Sequence, residues 1–427
     1  MDTEWTEDHE GLIELMLWAD NMHQAWRVVK ANDGAAGVDG KDIAQTREHL
    51  KRHWPTIARQ IRRGKYRPGA IREVLIPKPD GGQRTLGIPN VQDRLIQQAL
   101  LQILQERFDG QMSPHSYGYR PGRNAHQAIQ AARGFVLQGK RWVVDIDLKD
   151  FFNQIDHDIL LREVGREVMD PKLRKLIALY LRAPTRDAQG HQRKRLRGVP
   201  QGAPLSPLLS NIYLDLLDQE LERRGVAFVR YADDIAIFAG SEQAAERIYE
   251  SVVQWLRQHL RLEVNPAKSG VGPTDGSSLL GYRLRSDGSL LLSPKAVQRY
   301  KNQVREHWSA RRGLTLQQQR RDWQQFVRGW SNYFGLVTSG RMLEALSGWT
   351  RRHMRKFMWQ RWHNRAGRRN ALQRLGLCGR ILGMASSRLG AWPLSAQAVL
   401  QRAMPNARLA AWGFLTPSDL VRPQQPC

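Results

Sequence analysis

The chain has 427 residues, 41% of them hydrophobic, with 66 Lys and Arg against 41 Asp and Glu for a formal net charge of +25. An excess of that size has no internal counter-charge, so it points to a polyanionic partner, nucleic acid ahead of a membrane surface. Two cysteines, Cys378 and Cys427, exclude a disulfide framework and a paired-cysteine zinc site, and the sequence shows neither a run of about 18 apolar residues nor an opening secretory signal, so a reducing cytoplasm is expected.

Residues 1–65 read as helix, loop, helix, with the apolar residues Leu12, Ile13, Leu15, Met16 and Leu17 leading to Ala25, Trp26, Val28 and Val29 at helical spacing. The intervening 32–40 holds three glycines and is expected to be a flexible loop. Residues 72–89 predict a hairpin around an Asp-Gly-Gly turn, with Lys78 and Arg84 near its tip, where a pair of cations can grip a phosphate. Helices follow over 94–108 and from Asn124, a plausible N-cap, to about 137, broken by the Ser116-Tyr117-Gly118-Tyr119-Arg120-Pro121-Gly122-Arg123 loop.

The segment Trp142–Leu148 alternates as a strand, which puts Asp145 and Asp147 on one face. Helices are expected over 157–183 and a basic hairpin over 184–197. The Gly/Pro loop 198–207 then feeds a helix to about Arg223. Two apolar runs, 226–230 and 235–240, flank Tyr231-Ala232-Asp233-Asp234 and predict a buried hairpin with two acids at its tip. Read alone, an Asp-Asp tip is a solvated turn. An amphipathic helix is expected over 241–260, then short strands near 262–265 and 279–284. From 295 the chain turns helical: residues 295–375 carry 19 Lys or Arg, three acids and six tryptophans. One-sided charge interleaved with aromatics predicts a nucleic-acid surface.

Three carboxylates on apolar elements need a cationic partner. If the 226–240 hairpin pairs with the 142–148 strand, Asp147, Asp233 and Asp234 meet. That oxygen donor set suits Mg²⁺, and two such ions can activate a hydroxyl and stabilise a leaving pyrophosphate. In a chain this basic, the chemistry is nucleotidyl transfer, with Lys78 and Arg84 helping to hold the triphosphate.

The ordered motifs resemble those of group II intron-encoded reverse transcriptase/maturases. Tyr231-Ala232-Asp233-Asp234 is similar to the reverse transcriptase signature. The stretches 76–89, 116–123, 147–157, 200–212, 265–268 and 280–282 resemble further core motifs, and Arg328-Gly329-Trp330-Ser331-Asn332-Tyr333-Phe334 resembles the thumb, or maturase, motif. Ala203 stands where the family often has a second glycine after Pro-Gln-Gly. The resemblance implies an α+β right-hand polymerase fold with an antiparallel sheet in fingers and palm, followed by an α-helical thumb. It implies an N-terminal extension with a lid loop over 1–65, fingers and palm over 66–290, thumb over 291–375, and a small C-terminal DNA-binding region over 376–427.

The family's metal ligands map onto Asp147, Asp233 and Asp234, holding two Mg²⁺ with Mn²⁺ as a substitute, and Asp145 stays outside that set. Lys78, Arg84 and Arg120 would contact the dNTP triphosphate and Gln201 the sugar. Phe151 or Phe152 would form the steric gate against a 2′-hydroxyl. The implied partners are an RNA template, a DNA or RNA primer, dNTPs, the chain's own group II intron RNA and target DNA, with no membrane. The implied setting is a bacterial cytoplasm, nucleoid-associated, and the implied roles are cDNA synthesis, splicing assistance and retrohoming. No cysteine-pair endonuclease module follows the thumb, so the compact class without second-strand cleavage is expected. A domesticated relative in repair or defence, or a splicing factor with an idle polymerase site, are the alternatives.

Overall fold

The computed structural model describes residues 11–77, 81–309 and 313–422. Lys78, expected at the triphosphate, lies outside the described residues. The chain divides into two compact units: Met1–Ala132 with Trp142–Gly272, and Arg133–Arg141 with Pro273–Cys427. None of the described helices is long and apolar enough to cross a membrane.

The first unit is α+β. Strands β1 (Ile71–Pro77) and β2 (Gln83–Ile88) form the expected hairpin, with Ile76 opposite Arg84. Two short strands, β4 (Thr185–Arg186) and β5 (Gln192–Arg193), extend it to a four-stranded sheet in the order β2-β1-β4-β5. The basic hairpin near 190 therefore joins the first hairpin's sheet, a long-range pairing that local pattern does not encode. A second sheet, in the order β6-β7-β3-β8, is built from β3 (Trp142–Asp147), β6 (Ala227–Tyr231), β7 (Asp234–Ala239) and β8 (Gly270–Pro273). Along β3, Val144 and Ile146 are buried while Asp145 and Asp147 stay half-buried, as period-2 alternation requires. The strand expected near 262–265 is reduced to a single bridge between Val264 and Leu148, and the ladder forms instead at β8. Pro266 follows at once, and its ring removes the N–H that a continuing ladder needs.

The helix Ser206–Arg223 is buried on almost every side, with Leu208, Leu209, Ile212, Tyr213, Leu214, Leu217 and Leu221 in the core. A helix apolar all round is a core element rather than a surface one. Its neighbours in the core include Val144, Ile146, Phe228 and Ile237 of the second sheet. Asn124 caps its helix as expected, exchanging hydrogen bonds with Gln127.

The glycine-rich segment 33–40 is held in place, contrary to the flexible loop expected. The Arg94 guanidinium donates to the carbonyls of Gly34 (3.3 Å) and Ala35 (2.7 Å), and the Asp39 N–H donates to Asn90 Oδ1 (3.2 Å). A Cβ at Gly37 would lie 2.3 Å from Asn90 Oδ1, so glycine serves close approach here rather than mobility. One residue along, buried Asp93 accepts from the Tyr66 hydroxyl (2.7 Å) and the Gly69 N–H (3.0 Å). Burial pushes its carboxyl up to about 6. This node ties the helix Val91–Asp109 to the chain entering β1, and so fixes the hairpin that carries Arg84.

The second unit holds a small antiparallel sheet, β9 (Ser278–Leu279), β10 (Tyr282–Leu284) and β11 (Leu290–Leu292), in the order β11-β10-β9. Helices Pro294–His307, Leu316–Tyr333, Gly340–Arg361 and Arg365–Arg374 follow. The division falls at Pro273, ahead of the boundary expected near 290, because the small sheet belongs with these helices: Tyr282 packs on Phe334, and Thr338 caps β11 through its N–H donating to the Leu290 carbonyl (2.9 Å). Of the six tryptophans between 295 and 375, Trp308, Trp323 and Trp359 are fully buried. The Trp308 ring lies 5.3 Å from Trp323, 5.4 Å from Phe357 and 5.0 Å from Phe414, an edge-and-tilt cluster that forms the unit's core.

Candidate active site

The hairpin β6–β7 turns at Ala232 and Asp233. Register then does the placing: β7 pairs antiparallel with both β6 and β3, Tyr231 faces Asp234 on one side, and Asp147 faces Asp234 on the other. Directly opposed residues in an antiparallel pair hold their Cβ atoms about 5 Å apart. Two carboxylates so placed, with Asp233 next along the chain, repel one another. Desolvation raises the Asp233 carboxyl, with Asp147 adding to the rise and the Arg84 cation opposing it. Asp234 is pushed up to about 6 by desolvation and then by Asp233, Asp147 and Asp145. Its side chain is exposed while many protein atoms crowd the carboxyl, so the group is half stripped of water yet reachable from outside.

A divalent cation fits this set on its chemistry: the donors are all oxygens, and the desolvation and neighbouring negative charge that raise Asp233 and Asp234 would equally be offset by Mg²⁺. Among the described residues, no three acidic, histidine or cysteine side chains close on a common point at metal-ligand spacing. The register gathers the three acids at one tip without converging them.

The tip is shaped from beneath. Ala232 adopts φ +58°, a left-handed conformation that costs a non-glycine residue about 1 kcal/mol. Arg230, 0% exposed, holds it there. Its Nη1 donates to the Ala232 carbonyl (3.1 Å) and to Asn211 Oδ1 (2.8 Å), and its Nε donates to Asp218 Oδ1 (2.8 Å) and Oδ2 (2.9 Å). Asp218 is also 0% exposed. The loop ahead of Arg120 closes the other side. It runs parallel to β6 through Ser116 and Arg230, with the Arg230 N–H donating to the His115 carbonyl and the Tyr117 N–H donating to the Arg230 carbonyl (2.9 Å each). Asn211 Nδ2 fixes its carbonyl at Gly118 (2.8 Å). A Cβ on Gly118 would stand 2.3 Å from the Ala232 nitrogen, so only glycine lets this loop press on the acidic tip.

Other expected site residues sort clearly. Arg84 is exposed on β2 and its charge reaches Asp233. Gln201 sits in a loop docked on β2, its carbonyl accepting from the Gly87 N–H (2.8 Å), and its side-chain Oε1 is buried with no protein partner. An orphaned buried acceptor suits a ligand hydroxyl. Phe151 and Phe152 open the short helix after β3, their rings 5.4 Å apart edge-on. Phe151 also packs on Tyr213, whereas Phe152 is the more exposed of the two, 7% against 2%. The Phe152 carbonyl accepts from the Val199 N–H (2.7 Å), two residues before Gln201. Arg120 departs from expectation. It is buried, and its guanidinium is spent on Asp109 Oδ1 (2.8 Å) and on the carbonyls of Asp109 (2.7 Å), Ser113 (2.6 Å) and Ser116 (3.1 Å). It shapes the loop and is not presented to a triphosphate.

Arg230, Asp218, Asn211 and Gly118 were not anticipated. A signal was present: Asn211, Asp215 and Asp218 recur at spacings of four and three on an otherwise apolar helix, which puts polar groups on one buried face.

A model for the reverse transcriptase (RNA-dependent DNA polymerase) matches residues 76–284, and a model for the group II intron, maturase-specific domain matches residues 297–376. The chain belongs to the group II intron reverse transcriptase/maturase family. Its enzyme class is RNA-directed DNA polymerase, a class that binds an RNA template and primer and generally uses divalent metal ions. Protein YkfC of Escherichia coli (strain K12) is 31% identical over 316 residues, covering 64% of this chain and 83% of YkfC. The group II intron-encoded protein LtrA of Lactococcus lactis subsp. cremoris is 32% identical over 212 residues, 49% of this chain. This chain spans only 34% of LtrA's length. A solved partial Cas6-RT-Cas1–Cas2 complex is similar at 25% identity and a TM-score of 0.38, over 58% of this chain and 42% of that one.

Replacing Asp218 with Asn leaves the buried Arg230 charge uncompensated and is expected to cost about 3–5 kcal/mol. Glu220→Gln, which breaks ion pairs to surface Arg223 and half-exposed Arg224, is expected to cost under about 1 kcal/mol. Urea unfolding of both variants measures the contrast, and equal small losses would refute the anchoring role.

Proposed function

We propose that the chain copies RNA into DNA at the tip of the β6–β7 hairpin and also binds its group II intron RNA to assist splicing and retrohoming. The observation that carries this reading is the register placing Asp147 opposite Asp234, beside Asp233. Asp147, Asp233 and Asp234 would hold the divalent ions, two in number by the chemistry of the donor set. Bound there, Mg²⁺ supplies the Lewis acidity that lowers the pKa of a primer 3′-hydroxyl and offsets charge on the triphosphate.

The remaining roles belong to the chain's own side chains. Arg84 is exposed and close enough to bias Asp233, so it would draw the γ- and β-phosphates toward the tip and orient the α-phosphate for attack. Lys78 is assigned the same task by its place in the sequence. Gln201 Oε1 would accept from the incoming sugar hydroxyl. Phe152 would close the space beside C2′, because it is the more accessible ring and its backbone carbonyl is bonded to the loop leading to Gln201, whereas Phe151 is committed to Tyr213. Arg230 and Asp218 hold the turn so that the acids keep their aim through the cycle. The first unit would act as fingers and palm. The helical second unit would act as thumb and as RNA surface, its exposed arginines meeting phosphates while its buried tryptophans hold the helices together.

Asp233→Ala is expected to abolish primer extension on an RNA template with Mg²⁺ and dNTPs while changing RNA affinity less than about twofold, because phosphate contacts carry that affinity. Extension that persists in the variant would contradict the assignment. Phe152→Ala is expected to raise incorporation of ribonucleotides relative to deoxyribonucleotides by about tenfold or more, and Phe151→Ala is expected to lower stability without that change. Competitive single-nucleotide incorporation reads both, and a larger selectivity change at Phe151 would reverse the choice.

A further inference from the structure

No Asp or Glu occurs between residues 345 and 418, a stretch of 74 residues that holds 13 Lys and Arg. Inside it lies a cavity of about 480 Å³, within the range of about 300–1,000 Å³ typical of small-molecule sites. Its walls come from three places in the second unit: the end of the helix Gly340–Arg361, the helix Arg365–Arg374, and Trp412.

The lining has the parts that a nucleotide needs. Trp362 and Trp412 are half-buried and offer indole surface to the cavity. Trp362 is braced edge-on by buried Trp359 at 5.9 Å, and Trp359 is covered in turn by the Arg368 guanidinium at 4.6 Å. The aromatic wall is therefore built rather than loose. Asn370 and Arg374, four residues apart on one helix, lie on the same face, and both are exposed. Arg361 also lines the cavity, held by its Nη1 donating to the Leu314 carbonyl (2.8 Å), and adds positive field there. Asn364 caps the helix through Gly367 (2.8 Å), and a Cβ on Gly367 would stand 2.5 Å from the Trp362 carbonyl oxygen. Glycine is what lets the two helices meet closely enough to form the floor.

We propose that this cavity seats one unpaired nucleotide of a bound nucleic-acid strand, its base against Trp412 and Trp362, its edge at Asn370 and its phosphate at Arg374. The assignment rests on the RNA-binding role proposed above and deepens it: the second unit would hold its strand by one captured base as well as by charge. A strand source is favoured over an acidic peptide because the stacking surface and the acid-free field occur together.

The test uses the full chain and two 12-residue probes of equal charge, oligo(A) and its abasic ribose-phosphate counterpart, with oligo(dA) as a third arm. Trp412→Leu combined with Trp362→Leu, and separately Asn370→Ala at an exposed position, are compared with the parent by fluorescence anisotropy. The expected result is a loss of at least about fivefold in oligo(A) affinity for the double variant, a smaller loss for Asn370→Ala, and no change for the abasic probe. Arg374→Ala should flatten the salt dependence of both probes by about one unit of slope. A matching loss on oligo(dA) makes the ligand any single strand; a loss confined to oligo(A) makes it RNA. Unchanged oligo(A) binding, or equal losses on base-bearing and abasic probes, would overturn the pocket while leaving the RNA-binding reading intact. Failure of the parent chain to bind any probe would overturn both. Should the tryptophan variant unfold, Asn370→Ala alone decides.

Discussion

A fully buried ion pair sets the geometry of the acidic tip. Arg230 and Asp218 have no exposure to water, and the Coulombic gain of such a pair is largely offset by the cost of stripping both charges of solvent. A pair of leucines would hold the core as well. What the pair adds is direction. The guanidinium is a rigid fork, so once Asp218 fixes Nε, the Nη1 direction follows, and it reaches both Asn211 and the Ala232 carbonyl. A turn that alanine adopts only at some cost thus becomes the only turn that satisfies a buried charge. Asn211 extends the same anchor to Gly118, so helix, loop and hairpin share one reference point.

Much of this was legible in the sequence. Alternation put Asp145 and Asp147 on one face of an apolar strand, and two buried runs around Ala232-Asp233 gave the hairpin. Both are local patterns of period two. The motif order then pointed to the family that the matched models identify. Where long-range partners decide, local pattern was silent or misleading. The glycines of 33–40 read as slack because nothing nearby in sequence announces Asn90 and Arg94. The resemblance put Arg120 at the triphosphate, and Asp109 and the carbonyls that consume it meet it only after folding. Val264 alternates well enough for a strand, yet Pro266 and the turn after it hand the ladder on to Gly270–Pro273. Arg230 hid inside a signature whose acids drew the attention.

The second unit separates two jobs that its composition mixes. Half of the tryptophans between 295 and 375 are interior, with Trp308 packed on Trp323, Phe357 and Phe414, and they let arginine-rich helices pack together. The sequence of that stretch holds 19 Lys or Arg against three acids, so a bound polyanion would relieve repulsion that salt only screens. Stability and binding are coupled there through charge: a bound strand would strengthen the unit by mass action as well as being held by it.

The account stands on the three carboxylates acting together on cations. Anomalous diffraction at the manganese edge, from crystals of the full chain grown with an RNA template, a DNA primer and a non-hydrolysable dNTP in Mn²⁺, tests this directly. Two peaks about 4 Å apart, within ligand distance of oxygens of Asp147, Asp233 and Asp234, are predicted. Peaks elsewhere, or peaks that leave Asp147 or Asp234 uncoordinated, would contradict the account.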